Sequence, residues 1–268
     1  MKETNFYKLC AAGNDFVLFP QEASTQLLAK IPSLCDRNFG IGADGIIFLY
    51  EKENAFYWDF FNNDASPAQY CGNAARAITA YACSQLNEKT FKWSDKKQTR
   101  FLGTKNHENS YAVTLDKKLI YKHEGQASAP EKLPSIIHKI AYFNAGVPHA
   151  VLHHSQKLIS KERHEIKDLF LANDPAFLKK WNLTFLNSNN LEAVCIERGV
   201  ETETLACGSA ALSCYLSLQE SQATQKAEAT FQFPGGALKV YEKDDQLWLE
   251  GDAKIVFKGS IHVDIFKP

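Results

Sequence analysis

Two short stretches govern what this chain can fold into. Cys71-Gly72-Asn73-Ala74-Ala75 and Cys207-Gly208-Ser209-Ala210-Ala211 lie 136 positions apart, half the length of the 268-residue protein. Each sets a cysteine, a glycine and a small polar residue ahead of a run rich in Ala and Leu-type residues. Neither run contains Pro or an internal Gly, so both predict helices. Each cysteine then stands at a helix N-terminus, where unpaired N–H groups and the helix dipole favour an anion. A thiol with an ordinary pKa of about 8.5 is more easily ionised there. A chain that carries this device twice predicts two related halves, each built around one Cys-headed helix, with one thiol from each half.

The flanking segments repeat in the same order. Phe6–Leu9 and Phe16–Phe19 predict two strands around the Ala12-Gly13-Asn14-Asp15 turn. Ser24 to Leu34 predicts one short helix capped by Ser24. A glycine-rich turn, Phe39 to Gly45, leads to the strand Ile46–Tyr50. Ala55–Phe61 alternates as a strand and ends in the Asn62-Asn63-Asp64-Ala65-Ser66-Pro67 loop before Cys71. Further strands are expected near Thr90–Trp93, Gln98–Leu102 and Ser110–Leu115. Polar residues with Gly and Pro from Lys122 to Pro134 read as a linker. The order then starts again: strand Lys139–Asn144, the turn Gly146-Val147-Pro148-His149, and strand Ala150–Leu152. Helices over Ser160–Asn173 and Asp174–Trp181 follow, then strands Leu183–Leu186 and Glu192–Ile196, the turn Glu197-Arg198-Gly199, and Cys207. The expected fold is α+β, with two pseudo-symmetric domains, each an antiparallel sheet wrapped around a central helix. The division is expected at 125/126, giving halves 1–125 and 126–268, with the last strand able to pack on the first half. The two helix N-termini are expected to face each other across the interface between halves.

Composition narrows the function. A net charge of −1 gives no basic surface for nucleic acid or an acidic membrane. No apolar run reaches the ~20 residues of a membrane helix. The polar start Met1–Asn5 leads us to expect no signal peptide and a cytoplasmic protein. Seven cysteines, none in a C-x-x-C pair, argue for reduced thiols rather than a disulfide framework or a zinc site. No metal is expected.

A cysteine at a helix N-terminus can be a nucleophile, a redox thiol, a metal ligand or a proton carrier. A nucleophile needs a positioned base, for which His149 is a candidate, but this leaves the duplication unexplained. A redox pair is usually close in sequence or poised beside a disulfide partner. Two opposed thiols suit symmetric proton exchange: one thiolate removes a proton from one face of a carbon and the other thiol returns one to the opposite face. Helix-end N–H groups would stabilise the charge on a substrate carboxylate without a cofactor. Cys10, Cys35, Cys83, Cys195 and Cys214 read as packing residues, and His153 and His154 as surface residues.

The motifs also resemble a family. Gly13-Asn14-Asp15-Phe16, Gly40 to Gly45, Asn62-x-Asp64-x-Ser66, Cys71-Gly72-Asn73-x-Ala75-Arg76, Pro148-His149, Glu197-Arg198-Gly199, Glu203-Thr204-x-Ala206-Cys207-Gly208-Ser209 and Pro234-Gly235-Gly236 are similar, in order and over nearly the whole chain, to diaminopimelate epimerase. That resemblance implies a cofactor-independent isomerase, commonly a homodimer, that interconverts LL- and meso-diaminopimelate in lysine and cell-wall biosynthesis. It implies that Cys71 and Cys207 are the acid/base pair, and that Asn14, Asn62, Asn187, Glu197 and Arg198 hold the amino-acid substrate. Gly72-Asn73 and Gly208-Ser209 would bind the reacting carboxylate, while His149 and Glu197 would influence thiol ionisation.

Some positions depart from the family pattern. Val147 stands where a substrate-touching asparagine is usual. The Glu197–Cys207 segment is one residue longer, making Glu201, Thr202 and Thr204 candidate replacements for that contact. Asn187 to Glu197 is several residues short, and Ala65, Ala74 and Ala210 replace common glycines. Three rivals follow: a sister racemase with the same thiols and another amino acid, a binding protein of this fold without turnover, and a thiol redox protein. The binding-protein reading leaves both retained cysteines without a purpose.

Overall fold

A computed structural model describes residues 3–68, 71–97, 99–115, 120–123, 129–220 and 227–262. Residues 124–128 of the expected linker, with the expected 125/126 division, and Gln98 lie outside the described residues. The chain forms two compact units, Met1–Leu115 with Glu250–Pro268, and Asp116–Leu249.

In the first unit, β1 (Glu3–Ala11) and β2 (Asn14–Phe19) form an antiparallel hairpin. Its turn residues Ala12 and Gly13 both have positive φ, 50° and 88°, as a tight two-residue hairpin requires. The helical crossover that follows is α1 (Thr25–Leu28) and α2 (Ile31–Cys35), two pieces rather than the single expected helix. Ser24 does cap α1, its Oγ accepting from Leu27 N–H at 3.2 Å. The break arises at Pro32, in the first turn of α2, which has no N–H to continue the ladder from α1. The crossover delivers β3 (Gly45–Lys52) parallel to β2, and β4 (Ala55–Asn62) returns antiparallel.

Next comes α3 (Gly72–Leu86), then β5 (Thr90–Ser94), β6 (Arg100–His107) and β7 (Ser110–Leu115). The C-terminal β17 (Lys254–His262) pairs antiparallel with β1, so the strand order in this unit is β7-β6-β5-β4-β3-β2-β1-β17. Helix α3 is buried from Gly72 through Ala80, with Ala82 and Cys83, which makes it the central helix of the unit. Its approach to β6 is close. A Cβ at Gly103 would lie 2.1 Å from Thr79 Oγ1.

The second unit repeats the plan. β8 (Ile120–Lys122) pairs with β9 (Ile137–Ala145), so this strand, placed in the first half by the expected division, belongs to the second unit. β9 turns at Gly146 (φ +87°) into antiparallel β10 (Pro148–His154). α4 (Ser160–Asn173) and α5 (Phe177–Lys180) carry the chain to β11 (Asn182–Asn187), parallel to β10. β12 (Ala193–Ile196) is antiparallel to β11, a short β13 (Glu203–Thr204) adds to its edge, and α6 (Gly208–Glu220) follows. The sheet order is β13-β12-β11-β10-β9-β8. β14 (Glu228–Phe233) and β15 (Gly236–Lys243) form a hairpin, and β16 (Gln246–Asp252) spans the division between units.

The sheets are therefore mostly antiparallel, with a parallel pair at the same place in each repeat, β2–β3 and β10–β11, and a further parallel pair in the first unit, β4–β5, joined through α3. The physical reason is the helical crossover, since parallel neighbours cannot be joined by a tight turn. In the second unit the crossover covers one sheet face, burying Ile166, Phe170 and Phe177 against Ala150, Leu152, Leu183 and Phe185. Among the described residues no helix is long and apolar enough to cross a membrane.

Candidate active site

In both units the same three strand ends gather where the Cys-headed helix begins. The first unit gathers the start of β2 at Asn14, the start of β3 after Asp44, and the end of β4 at Asn62. Pairing fixes these ends side by side, with Phe16 opposite Gly45 and Gly45 opposite Asn62. Cys71 is the N-cap of α3, in extended conformation (φ −142°, ψ 115°), and its Sγ accepts from Ala74 N–H at 3.5 Å. The sulfur thus takes the place usually held by a capping Ser or Asp oxygen.

Asn73, two residues on, donates its side-chain N–H to Asn14 Oδ1. Asn73 Oδ1 accepts from the fully buried Arg76 guanidinium at 2.7 Å, and Arg76 also donates to Gly72 C=O at 3.3 Å. Asn14 in turn donates to Asp44 at 3.0 Å. The structure therefore joins Asn14, Gly72 and Asn73 in one polar chain beside Cys71. Asn62 stands at the same end of the sheet, donating to Ser66 Oγ at 2.9 Å within the loop that Asp64 closes through Ser66 N–H.

Sequence reasoning missed the ionic brace of this unit. Lys8 pairs with Asp15 at 2.6 Å and donates to Gly42 C=O, while Arg37 reaches Asp15 at 2.8 Å and Asp44 at 2.7 Å. Burial alone would raise the Asp15 carboxyl, but Arg37 and Lys8 hold it at about 2. These ions lock the glycine-rich turn before β3 against β2, and with it the Asp44 side chain that Asn14 holds.

In the second unit, the start of β10 at Pro148-His149, the start of β11 at Asn182 and Glu197 just beyond β12 converge on Cys207. His149 is fully buried, and its ring meets Asn182, Thr184 and Ser209. Asn182 Oδ1 accepts from Arg198 N–H at 2.8 Å, which fixes the amide so that its Nδ2 donates to His149 Nε2 at 3.1 Å. Nε2 is thereby an acceptor, and Nδ1 carries the proton and donates to Thr184 Oγ1 at 2.9 Å. Burial, reinforced by the Arg198 charge, pushes the imidazole down to about 3, so it is neutral at physiological pH.

From this histidine a closed ring of hydrogen bonds runs through the cysteine. Thr184 Oγ1 donates to Cys195 Sγ at 3.6 Å, and the Cys195 and Cys207 side chains, both free thiols, share a hydrogen bond. Cys207 Sγ lies 3.2 Å from Ser209 Oγ, and Ser209 Oγ lies 2.8 Å from His149 Nε2. With Cys207 as a thiol, every donor in the ring points the same way round. With Cys207 as a thiolate, one rotation of the Ser209 hydroxyl from His149 to the sulfur supplies it with a second donor. Glu197 adds a carboxylate whose oxygen accepts from Thr204 Oγ1 at 2.7 Å. One ligand atom each of Cys195, Glu197 and Cys207 lie within 4.8 Å of one another.

Several sequence expectations change here. Asn187 is at the far end of β11. His149 pairs with Asn182, whereas Asn187 pairs with His154, about 16 Å along the strand at about 3.3 Å per residue. Asn187 Oδ1 instead caps a turn by accepting from Asn189 N–H at 3.0 Å. The residue brought to His149 and Arg198 is Asn182, which the sequence reading passed over. Counting to Glu197 from Asn182 gives fifteen positions instead of ten, which is why the interval looked short. Thr204 is turned to Glu197, and Glu203 is held bidentately by Arg163 at 3.0 and 2.9 Å.

Cys195 does more than pack, through its contact with Cys207. His153 and His154 are buried, 3% and 5% exposed, rather than at the surface. His153 bridges Ser188 at 3.2 Å and Ser217 at 3.0 Å. A signal existed for this. His149 and His153 lie four apart on one face of a strand, about 13 Å, and Ser209 and Ser217 lie eight apart on a helix, about 12 Å. Helix α6 thus lies along β10, histidines against serines.

Comparison with known proteins bears on this geometry. A family model described as diaminopimelate epimerase matches residues 6–117. A curated diaminopimelate epimerase from Campylobacter jejuni subsp. jejuni serotype O:2 is 32% identical over 260 residues, covering 95% of this chain and 98% of its own. One from Methanocella arvoryzae is 30% identical, covering 98% and 99%. The chain belongs to the diaminopimelate epimerase family. It is therefore an isomerase of the epimerase kind. The fold is also that of a hydroxyproline epimerase from Agrobacterium vitis, at TM-score 0.67, 9% identity and coverage of 99% and 94%. A predicted epimerase from Pseudomonas aeruginosa gives 0.68 at 12% identity, with coverage of 96% and 99%.

Proposed function

We propose that this family member interconverts LL- and meso-2,6-diaminopimelate by proton transfer between Cys71, Cys207 and the substrate α-carbon. One thiolate removes the α-proton, and the other thiol, acting as acid, delivers a proton to the opposite face. The configuration inverts, no electrons are exchanged, and the next turnover in the reverse direction uses the same pair with roles exchanged. The observation that carries this reading is the repetition of a cysteine at the head of a buried helix in each of two topologically equivalent units. Binding alone gives no reason for the second thiol.

The remaining roles follow from chemistry at each position. N–H groups over Gly72-Asn73 and Gly208-Ser209 stabilise charge on the reacting carboxylate. Asn14, Asn62 and Asn182 orient the amino acid, and Arg198 offers a bidentate clamp for the distal carboxylate. His149, neutral and accepting at Nε2, holds Ser209 rather than serving as the base, and Glu197 sets the charge near Cys207. The biological setting we propose is lysine and cell-wall precursor synthesis in the cytoplasm, with the chain acting as a homodimer and without a cofactor.

The test is incubation with LL-diaminopimelate in D₂O. Meso product with one deuterium at one α-carbon supports the reading. If only another amino acid from a broad panel exchanges its α-proton, the substrate is different and the sister-racemase reading holds. Val147, an apolar side chain at the turn before His149, is the specific feature that motivates that panel.

A further inference from the structure

We propose that Cys195, Glu197 and Cys207 form a binding site for a thiophilic divalent cation of the zinc class, and that occupancy arrests the Cys207 thiol. Their ligand atoms, two sulfurs and a carboxylate oxygen, converge within 4.8 Å. In a tetrahedral site with metal–sulfur bonds of about 2.3 Å, two sulfur ligands stand about 3.8 Å apart. A sulfur and a carboxylate oxygen bonded at about 2.3 and 2.0 Å stand about 3.5 Å apart, so the cluster needs at most about 1.3 Å of contraction per pair. Two thiolates and one carboxylate suit Zn²⁺ or Cd²⁺ far better than Mg²⁺ or Ca²⁺, which prefer oxygen.

The surroundings are built for these three groups. Cys195 is fully buried on β12, with its sulfur directed at Cys207 and accepting from Thr184. Thr204, its cross-strand partner on β13, orients the Glu197 carboxylate. Glu197 is the half-buried member, the side from which an ion can enter. Three protein ligands leave the fourth position open, as in sites that exchange their metal. Each ligating thiol releases its proton on binding. Cys207 held as a metal thiolate has no proton to donate, and with its charge drawn to the metal it is a far weaker base. The site would thus make activity sensitive to free zinc through a residue, Cys195, that takes no part in our proposed proton transfer.

The experiment titrates Cd²⁺ into the reduced full-length chain and follows the ultraviolet thiolate-to-metal absorption. We expect one Cd²⁺ per chain, the absorption of two thiolates, and reversal by EDTA. Cys195→Ser should weaken Cd²⁺ binding at least tenfold and halve the absorption, while Glu197→Gln should weaken binding with the full absorption retained. Cys83→Ala, in the other unit, should bind as wild type. Absence of the two-thiolate absorption in wild type, or equal binding by Cys195→Ser shown folded by circular dichroism, overturns the proposal. If Cys195→Ser does not fold, the wild-type absorption and Glu197→Gln decide. Because binding is read by absorbance, its failure is distinct from failure of the diaminopimelate reading, which is scored by α-proton exchange.

Discussion

Lowering the pH from 7 to 5 should weaken the second unit sharply, well before carboxylates titrate. His149 and His153 are buried along β10 facing α6, and both are held neutral. Burial pushes His149 down to about 3, helped by Arg198, and His153 to about 4, helped by Lys139, His138 and His154. Unfolded, each returns to about 6.5. The native values are depressed, so the stabilisation is complete above about 6.5 and is lost as pH falls toward the native values. Over this range the unfolded chain binds more protons than the native one, so unfolding becomes easier. Integrating the proton difference for one such histidine from pH 7 to 5 gives about 2 kcal/mol, nearly independent of whether its native value is 3 or 4. Two histidines give about 4 kcal/mol, a large part of a typical total stability of roughly 5–15 kcal/mol. The assay is urea unfolding at pH 7, 6 and 5, followed by tryptophan fluorescence. His153→Gln, which keeps a polar side chain near Ser188 and Ser217, should remove about half of the pH dependence. Equal stability at pH 7 and 5, or an unchanged slope in His153→Gln, would refute the assignment of neutral buried rings.

Cys71→Ala and Cys207→Ala should each abolish inversion while leaving circular dichroism unchanged, and full epimerisation by either would sink the two-thiol mechanism. Ser209→Ala removes the hydroxyl that bridges Cys207 and His149; at about 1.5–3 kcal/mol for a hydrogen bond to a charged group, kcat/KM should fall roughly 10- to 150-fold, and an unchanged rate would remove Ser209 from the mechanism. Ser213 is fully buried between Ser209 and Ser217 on α6, and its Oγ has no hydrogen-bond partner among the described residues; Ser213→Ala should be neutral or stabilise by up to about 1–2 kcal/mol, and a lower melting temperature would show that the hydroxyl is satisfied. Val147→Asn restores a side chain that can donate and accept at the turn before His149, and should lower KM for diaminopimelate with little change in kcat; a change confined to kcat would mean the side chain acts on the proton transfer instead.

Much of the fold was legible because the signals were local. The Cys-headed helices announced themselves by composition, and Gly13 and Gly146 marked the two equivalent hairpins. The interruption between α1 and α2 was also written locally, in Pro32, but a run of apolar residues on both sides concealed it. What local reading lacks is strand direction. Nothing in Ile46–Tyr50 or Leu183–Leu186 says whether a neighbour runs parallel; only the helical crossover preceding each strand does, and that requires knowing which strands are adjacent.

The site was legible to the extent that its members sit in contiguous motifs, and obscure where they are brought in by register. Asn187 and Asn182 are five apart, at the two ends of one strand. Their difference is decided by the parallel pairing that sets Asn182, not Asn187, opposite His149. The same register sets Thr184 opposite Cys195, and Cys195 opposite Thr204. A row of side chains from four strands thus runs from His149 to Glu197 across one face of the sheet, directly under the head of α6. Cys195 looked like a packing residue because buried cysteines usually are. Its second identity comes from a neighbour twelve positions away in sequence and one hydrogen bond away in space. A single-residue slip of β12 would carry Cys195 to the opposite face, into the layer of Phe170 and Phe177, and leave Thr184 without its sulfur acceptor. The chemistry of the second unit therefore depends on strand registry as directly as on the identity of its cysteines. Changes that loosen the β11–β12 pairing should disturb Cys207 before they unfold the chain.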